Sequence, residues 1–292
     1  NKNYTAPVNE TENVVFLPFN DSAALEDFFK TEGDSVAAVI VEGIRVCQNA
    51  VIAPGVILSK AVPVYDCIRE RVLERGSAIP ENAVVVPADL AASEALSELI
   101  DRVWNESGGI QRAFFCAGLA QWSNPLTTTP AAEEQLLALN YRFPVQAAKL
   151  LAARMLAQGS GQLVAVGSIA AEFGQPESAA YGASKAALER HWEAYYAAWA
   201  HRGLRVQLMQ PGVIQTTIMA SALDESGAAL GQQAKTHTGQ SPEAVAQRLW
   251  AAAQTNRFKT YLISPTERLA LLLHRWMPTL FYTLLRQRHG TA

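Results

Sequence analysis

The run QLVAVGS at residues 162–168 places four consecutive apolar residues between polar ends, with no alternation of apolar and polar positions. A strand read this way is buried on both faces, which is the condition of an interior strand in a parallel sheet. Six further runs have the same character: SVAAVIVE (35–42), AVPVYD (61–66), AVVVPADL (83–90), AFFCAG (113–118), RVQLMQPG (205–212) and TYLIS (260–264). Between most of them the period changes to that of a helix. Leu96, Leu99, Ile100, Val103 and Trp104 form one apolar face in 93–107, and the segments 131–157 and 181–200 behave alike. Asp21 or Ser22 would cap a short helix over DSAALEDFF, and Ser241 with Pro242 reads as N-cap and first helical residue. Strand and helix alternate about seven times, which predicts an α/β, doubly wound parallel sheet with helices on both faces.

The bulk numbers suit this. Hydrophobic residues make up 49% and charged residues 17% of the 292-residue chain, enough apolar surface for a full core. A net charge of −3 gives no electrostatic case for nucleic acid. Cys47, Cys67 and Cys116 show no CxxC pairing, which favours a reducing, cytoplasmic setting. The five histidines form no HxxxH pair, and no metal site is expected. The N-terminus has no signal-peptide pattern and no Met, so the chain reads as a fragment or a processed form. Residues 1–34 read as an atypical N-terminal segment and 35–292 as a single domain.

In such sheets ligands bind at the carboxyl ends of the strands. Ser168 ends one strand, Asp89 and Gly118 end two earlier ones, and QPG at 210–212 ends the next. Thirteen residues after Ser168 comes AAYGASKAAL, with Tyr181 and Lys185 one helical turn apart. A phenol titrating near ~10 is a poor acid or base at neutral pH, and an ammonium on the same face favours its ionised form. The pair therefore offers an acid/base. Local alternatives stand beside each of these residues: a backbone bond for Ser168, a solvent or backbone contact for Asn140, loop capping for Asp89. Leu188, Trp192, Tyr195, Tyr196 and Trp199 form a stripe read as core or interface packing.

Taken together, VGSIAAEFGQPESAAYGASKAAL, LALNYRFPVQAAK, FFCAG, VVVPADL and VQLMQPGVIQT resemble the short-chain dehydrogenase/reductase family over about residues 61–292. The resemblance implies a Rossmann-like fold and NAD or NADP as cofactor. It implies Tyr181 as proton donor and acceptor, and Lys185 holding the nicotinamide ribose. Ser168 would bond the substrate oxygen, and Asn140 would hold a water that links Lys185 to solvent. Asp89 and Leu90 would touch adenine, and Ala117 and Gly118 would line the cofactor bed. Pro211, Gly212, Ile214 and Thr216 would meet the nicotinamide end. A homodimer or homotetramer is implied as well.

Two departures stand out. The family's TGxxxGxG loop should follow the first strand, where this chain has VEGIRVCQNAVIAPGVILSK; aligning Gly43 puts Cys47 and Asn49 where glycines belong. A Cβ there crowds a bound pyrophosphate. Phe115 and Cys116 likewise replace two amides of the family's NNAG. Residues 12–44 instead resemble a stretch of class III aminotransferases similar to acetylornithine aminotransferase, without that family's cofactor lysine or aspartate, so transamination is not implied. Asp66 stands where an acid binds adenosine ribose hydroxyls, which favours NAD, whereas Arg69 and Arg71 blunt that preference.

The expected activity is NAD(P)-dependent interconversion of a small-molecule carbonyl and alcohol. A catalytically silent relative is the alternative, because of the glycine loop. A serine hydrolase using Ser168 lacks both GxSxG and a placed histidine. The Gly/Ala-rich stretch 213–240 reads as a lid. The apolar, Arg-containing tail 268–290 is expected to pack within the protein rather than lie on a membrane surface.

Overall fold

The computed structural model describes residues 56–59, 84–87, 90, 96–106, 108–216, 218–219, 222–231 and 239–290. The expected strands at 35–42 and 61–66, the helix over DSAALEDFF and the altered glycine loop up to residue 55 lie outside the described residues, as do Asp66 and Asp89.

Strands β1 (Val56–Ser59) and β2 (Val84–Pro87) pair in parallel. Four more form a second parallel set in sequence order: β3 (Arg112–Phe115), β4 (Gly161–Val166), β5 (Leu204–Pro211) and β6 (Lys259–Leu262). The helices are α1 (Leu96–Glu106), α2 (Pro130–Leu137), α3 (Phe143–Ala157), α4 (Ala179–Trp199), α5 (Pro242–Ala253), α6 (Pro265–Trp276) and α7 (Pro278–Gly290).

The apolar run of β4 shows why helices cover both faces. Successive strand side chains point to opposite sides. Leu163 and Ala165 join one buried cluster with Ile100 of α1, Leu151 of α3 and Trp192 of α4. Val164 and Val166 join another with Val245, Leu249 and Ala253 of α5. Strand β5 divides likewise, Val206 and Leu208 to the first cluster and Met209 to the second. The fold is therefore the Rossmann-like, doubly wound α/β arrangement expected from the pattern.

The predicted α1 face is buried at Leu96, Leu99, Ile100 and Val103, and Ser241 Oγ accepts from Ala244 N as the expected cap of α5. Gly203, at φ 89°, takes the left-handed conformation that turns the chain out of the α4 end and into β5. At the opening end of the strands the fully buried Gln162 donates to Ala253 O (2.7 Å), while Gln207 donates to Thr255 O (2.8 Å) and Arg257 O (3.0 Å). These amides tie the end of α5 to the sheet and satisfy backbone carbonyls that burial would otherwise strand.

The helix expected over 131–157 is interrupted. Residues Ala138–Arg142 form a π-helical turn between α2 and α3, with Phe143 N–H bonded to Ala138 O. Pro144 has no N–H to return to the carbonyl four residues earlier, that of Asn140, so the α ladder cannot run through.

Candidate active site

The carboxyl ends of β3, β4 and β5 carry Ala117 and Gly118, Gly167 and Ser168, and Pro211 and Gly212. Helix α4 brings Lys185 to the β4 end, and Tyr181, one turn earlier on that helix, packs partly buried against the first core cluster. Ser184 is fully buried and Lys185 is 4% exposed. Lys185 Nζ donates to Val166 O at 3.0 Å, which lays the ammonium across the end of β4 two residues before Ser168. Close approach of α4 to the loop after Ser168 needs Gly182, since a Cβ there would lie 3.0 Å from Ala170 O. Ser168 Oγ accepts from Ala170 N (3.2 Å), so the local capping role foreseen for it is present. A hydroxyl that accepts in this way retains its own hydrogen for donation.

Asn140 is fully buried on the π turn. Its Oδ1 accepts from Leu119 N (2.7 Å), and its Nδ2 donates to Leu119 O (2.9 Å) and Ser184 Oγ (2.9 Å). Ser184 Oγ in turn donates to Tyr181 O (2.7 Å). The amide thus braces the loop after β3 against α4. Gly118 sits in the same corner: a Cβ on it would lie 3.2 Å from both Asn140 Oδ1 and Lys185 Nζ. Gly118, Asn140, Lys185 and the β4 end are therefore brought together.

One residue not singled out from the sequence fixes the start of α4. Gln121 is 2% exposed, and its Oε1 accepts from the first backbone amides of α4, Ala180 N (2.9 Å) and Tyr181 N (3.1 Å). Its Nε2 is held by Ser123 Oγ (2.8 Å) and Thr128 Oγ1 (3.0 Å). Ser178, at the cap position, makes no side-chain cap bond, and Gln121 supplies one from 59 residues upstream. No local spacing announces such a contact.

A second polar cluster joins the loop after Ser168 to α4. The buried Glu189 accepts from Lys259 Nζ (2.7 Å) and Gln210 Nε2 (2.6 Å), and Lys259 also pairs with Glu172. Glu172 further accepts from Tyr261 Oη at 2.7 Å. Burial would raise the Glu172 carboxyl, but its hydrogen bonds from Lys259 and Tyr261 hold it below the usual carboxylate range. Burial would lower Lys259, and its two glutamates reverse that and push it upward.

Leu90 is buried in the first core cluster, and Ala117 packs against that cluster. Gly212 N donates to Leu262 O (3.2 Å), Ile214 bridges to Gln240, and Thr216 Oγ1 accepts from Ile218 N (3.3 Å). Glu267, the third residue of α6, accepts a hydrogen bond from Val213 N (2.6 Å), which holds the turn after Gly212. In the stretch expected as a lid, Leu223 is buried and exchanges backbone bonds with Ala120 and Trp122, beside Gln121. In the aromatic stripe, Leu188, Trp192 and Tyr195 are core, whereas Tyr196 is exposed and stacks near Phe258.

Residues 51–227, more than half of the chain, match the family model for short chain dehydrogenase. The chain belongs to this family. Dehydrogenase/reductase SDR family protein 7-like from Anopheles gambiae is 25% identical over 223 residues, 76% of this chain and 70% of that protein. Dehydrogenase/reductase SDR family member 7B from Bos taurus is 28% identical over 204 residues, 70% of this chain. The match covers 63% of the bovine protein, under two thirds of its length. Among solved structures, a short chain dehydrogenase from Burkholderia cenocepacia in complex with NADP aligns at TM-score 0.63 and 17% identity, over 85% of this chain and 98% of that one. A short chain dehydrogenase/reductase from Burkholderia phymatum in complex with NAD aligns at TM-score 0.63 and 18% identity, over 76% and 85%.

Proposed function

We propose that this short-chain dehydrogenase relative is an NAD(P)-dependent oxidoreductase that interconverts a carbonyl and an alcohol, with Tyr181 as the proton donor and acceptor. The observation that carries the reading is the joint fixing of one helix at three points: Gln121 at its first amides, Asn140 through Ser184, and Lys185 on Val166 O. Satisfied buried bracing around one tyrosine and one lysine is what preorganised proton transfer requires.

The described residues suit a nicotinamide dinucleotide at the strand ends. Gly118 is buried beside the Lys185 ammonium, and a Cβ there would press on Nζ and on Asn140 Oδ1 at 3.2 Å, so glycine lets the backbone approach the ammonium closely. Two relatives of the same fold hold NADP and NAD respectively. Ala117, Gly118, Pro211, Gly212, Ile214 and Thr216 would line the bed, with Lys185 on the ribose. A bound nicotinamide supplies or takes the hydride at the substrate carbon. In reduction, Tyr181 Oη gives its proton to the carbonyl oxygen, while Ser168 Oγ–H bonds the same oxygen and fixes its position. Lys185 would return a proton to Tyr181 from solvent, through a water held at Asn140.

A catalytically silent binding protein is the second reading, favoured by Cys47 and Asn49 in place of loop glycines. Fluorescence titration with NADH and with NADPH separates the two. Saturable binding of either supports the oxidoreductase, and no binding of either at millimolar concentration supports the silent relative.

A further inference from the structure

The C-terminal hairpin packs on the body through one side and leaves much of its apolar surface open. No residue of α6 is buried, and in α7 only Phe281 is, among the side chains described. The exposed large apolar residues fall in two stripes of the same spacing. Leu269, Leu272 and Trp276 occupy i, i+3 and i+7 of α6, at 66, 48 and 76% exposure. Met277, Leu280 and Leu284 repeat that spacing across the break and along α7, at 52, 41 and 48%. Residues three, four and seven apart share one face of a helix, so α6 presents a continuous apolar ridge, Leu280 and Leu284 continue an apolar face along α7, and Met277 lies at the break between them.

The hairpin is also the cationic part of an anionic chain. Residues 265–290 contain Arg268, Arg275, Arg286 and Arg288 against Glu267 alone, a net +3, while the whole chain carries −3. All four arginines are exposed. Another side is pinned to the body. Phe281 packs edge-on against Phe173 with ring centroids 4.9 Å apart, and His274 lies 5.2 Å from Phe281. The apolar ridges are thus held outward on a fixed support.

We infer that the α6–α7 hairpin is a peripheral docking surface for an anionic lipid bilayer, with Trp276 and the leucine ridges inserted at the headgroup level and the arginines on acidic headgroups. Among the described residues no helix is long and apolar enough to cross a membrane, so the hairpin lies on the surface instead of spanning it. Apolar ridges flanked by arginine, with a tryptophan at the helix end, match an interface that is apolar at depth and negative at its rim. An acidic protein partner would satisfy the arginines and leave the ridges without a counterpart of such breadth. The inference is independent of the redox reading, because binding to lipid needs no cofactor.

The test is co-sedimentation of the full chain with vesicles of phosphatidylcholine alone and of phosphatidylcholine containing phosphatidylserine, with size-exclusion chromatography alongside. The expected result is sedimentation with the phosphatidylserine vesicles, weakened by salt. Replacing two arginines, R275Q with R286Q, should lower partitioning about thirtyfold, from roughly fivefold per charge. W276S with L280S should lower it about tenfold or more. Both variants alter exposed residues, and unchanged circular dichroism and Tm confirm that the fold persists. The inference is overturned if the chain stays in the supernatant with both vesicle types. It is equally overturned if W276S with L280S leaves partitioning unchanged, or if that variant converts a self-associated chain to a monomer that sediments as the parent does.

Discussion

Gln121 Oε1 lies 3.1 Å from the backbone nitrogen of Tyr181 and accepts its hydrogen, so an amide in the first turn of α4 is bonded to a side chain from the loop after β3. The same oxygen takes Ala180 N–H, which satisfies two of the amides that every helix leaves open at its start. Gln121→Leu keeps the volume and removes both bonds. It should lower stability by about 1–2 kcal/mol, the usual scale for a lost cap. Turnover should fall about tenfold to a hundredfold through misplacement of Tyr181. Thermal melts and steady-state kinetics check the two effects together.

Asn140 makes three buried hydrogen bonds, two to Leu119 and one to Ser184. Asn140→Ala leaves their partners unsatisfied in the core and should destabilise the protein by about 3 kcal/mol. Denaturant unfolding measures this directly.

Gly118 tests how closely the backbone must approach Lys185. A valine there places carbon within contact of Lys185 Nζ and Asn140 Oδ1. Gly118→Val should fold, with a lower Tm, and lose turnover about tenfold or more as the ammonium is displaced.

The Lys259 cluster predicts a pH signature. Glu172 titrates below its ordinary value of 4.5 in the folded protein, so its stabilisation is complete above 4.5 and disappears as pH falls through the folded value. The stability deficit of Glu172→Gln relative to the parent should therefore be present at neutral pH and shrink in acid below 4.5. Lys259 is shifted upward from 10.5, so its contribution is complete below 10.5 and is lost only in stronger alkali. Lys259→Met leaves the buried Glu189 short of a cation and should cost about 3 kcal/mol at neutral pH. Urea unfolding at several pH values checks both.

Sequence pattern carried the architecture well because the signals were local. The β4 run, the α1 face and the Ser241–Pro242 start each depend on neighbours within a few residues. The site was legible as far as it consists of residue types at fixed spacing, as with Tyr181 and Lys185. Gln121, Glu189 and Lys259 were not legible, since their roles arise from contacts across 59 to 70 residues that only the closed fold creates. The π turn was readable in principle: Asn140 is followed four residues later by Pro144, whose missing N–H breaks the ladder. The exposed side of the C-terminal hairpin was not legible, because an amphipathic pattern says that a helix has an apolar side and not what covers it.

The central claim is that one phenol on the braced helix transfers the proton. Turnover of NAD(P)H with a panel of carbonyl substrates, measured for the parent and for Tyr181→Phe alongside Tm and dinucleotide affinity, tests it most directly. The account predicts that the variant retains fold and affinity while kcat falls about a hundredfold to ten-thousandfold. A variant that turns over as fast as the parent would contradict it.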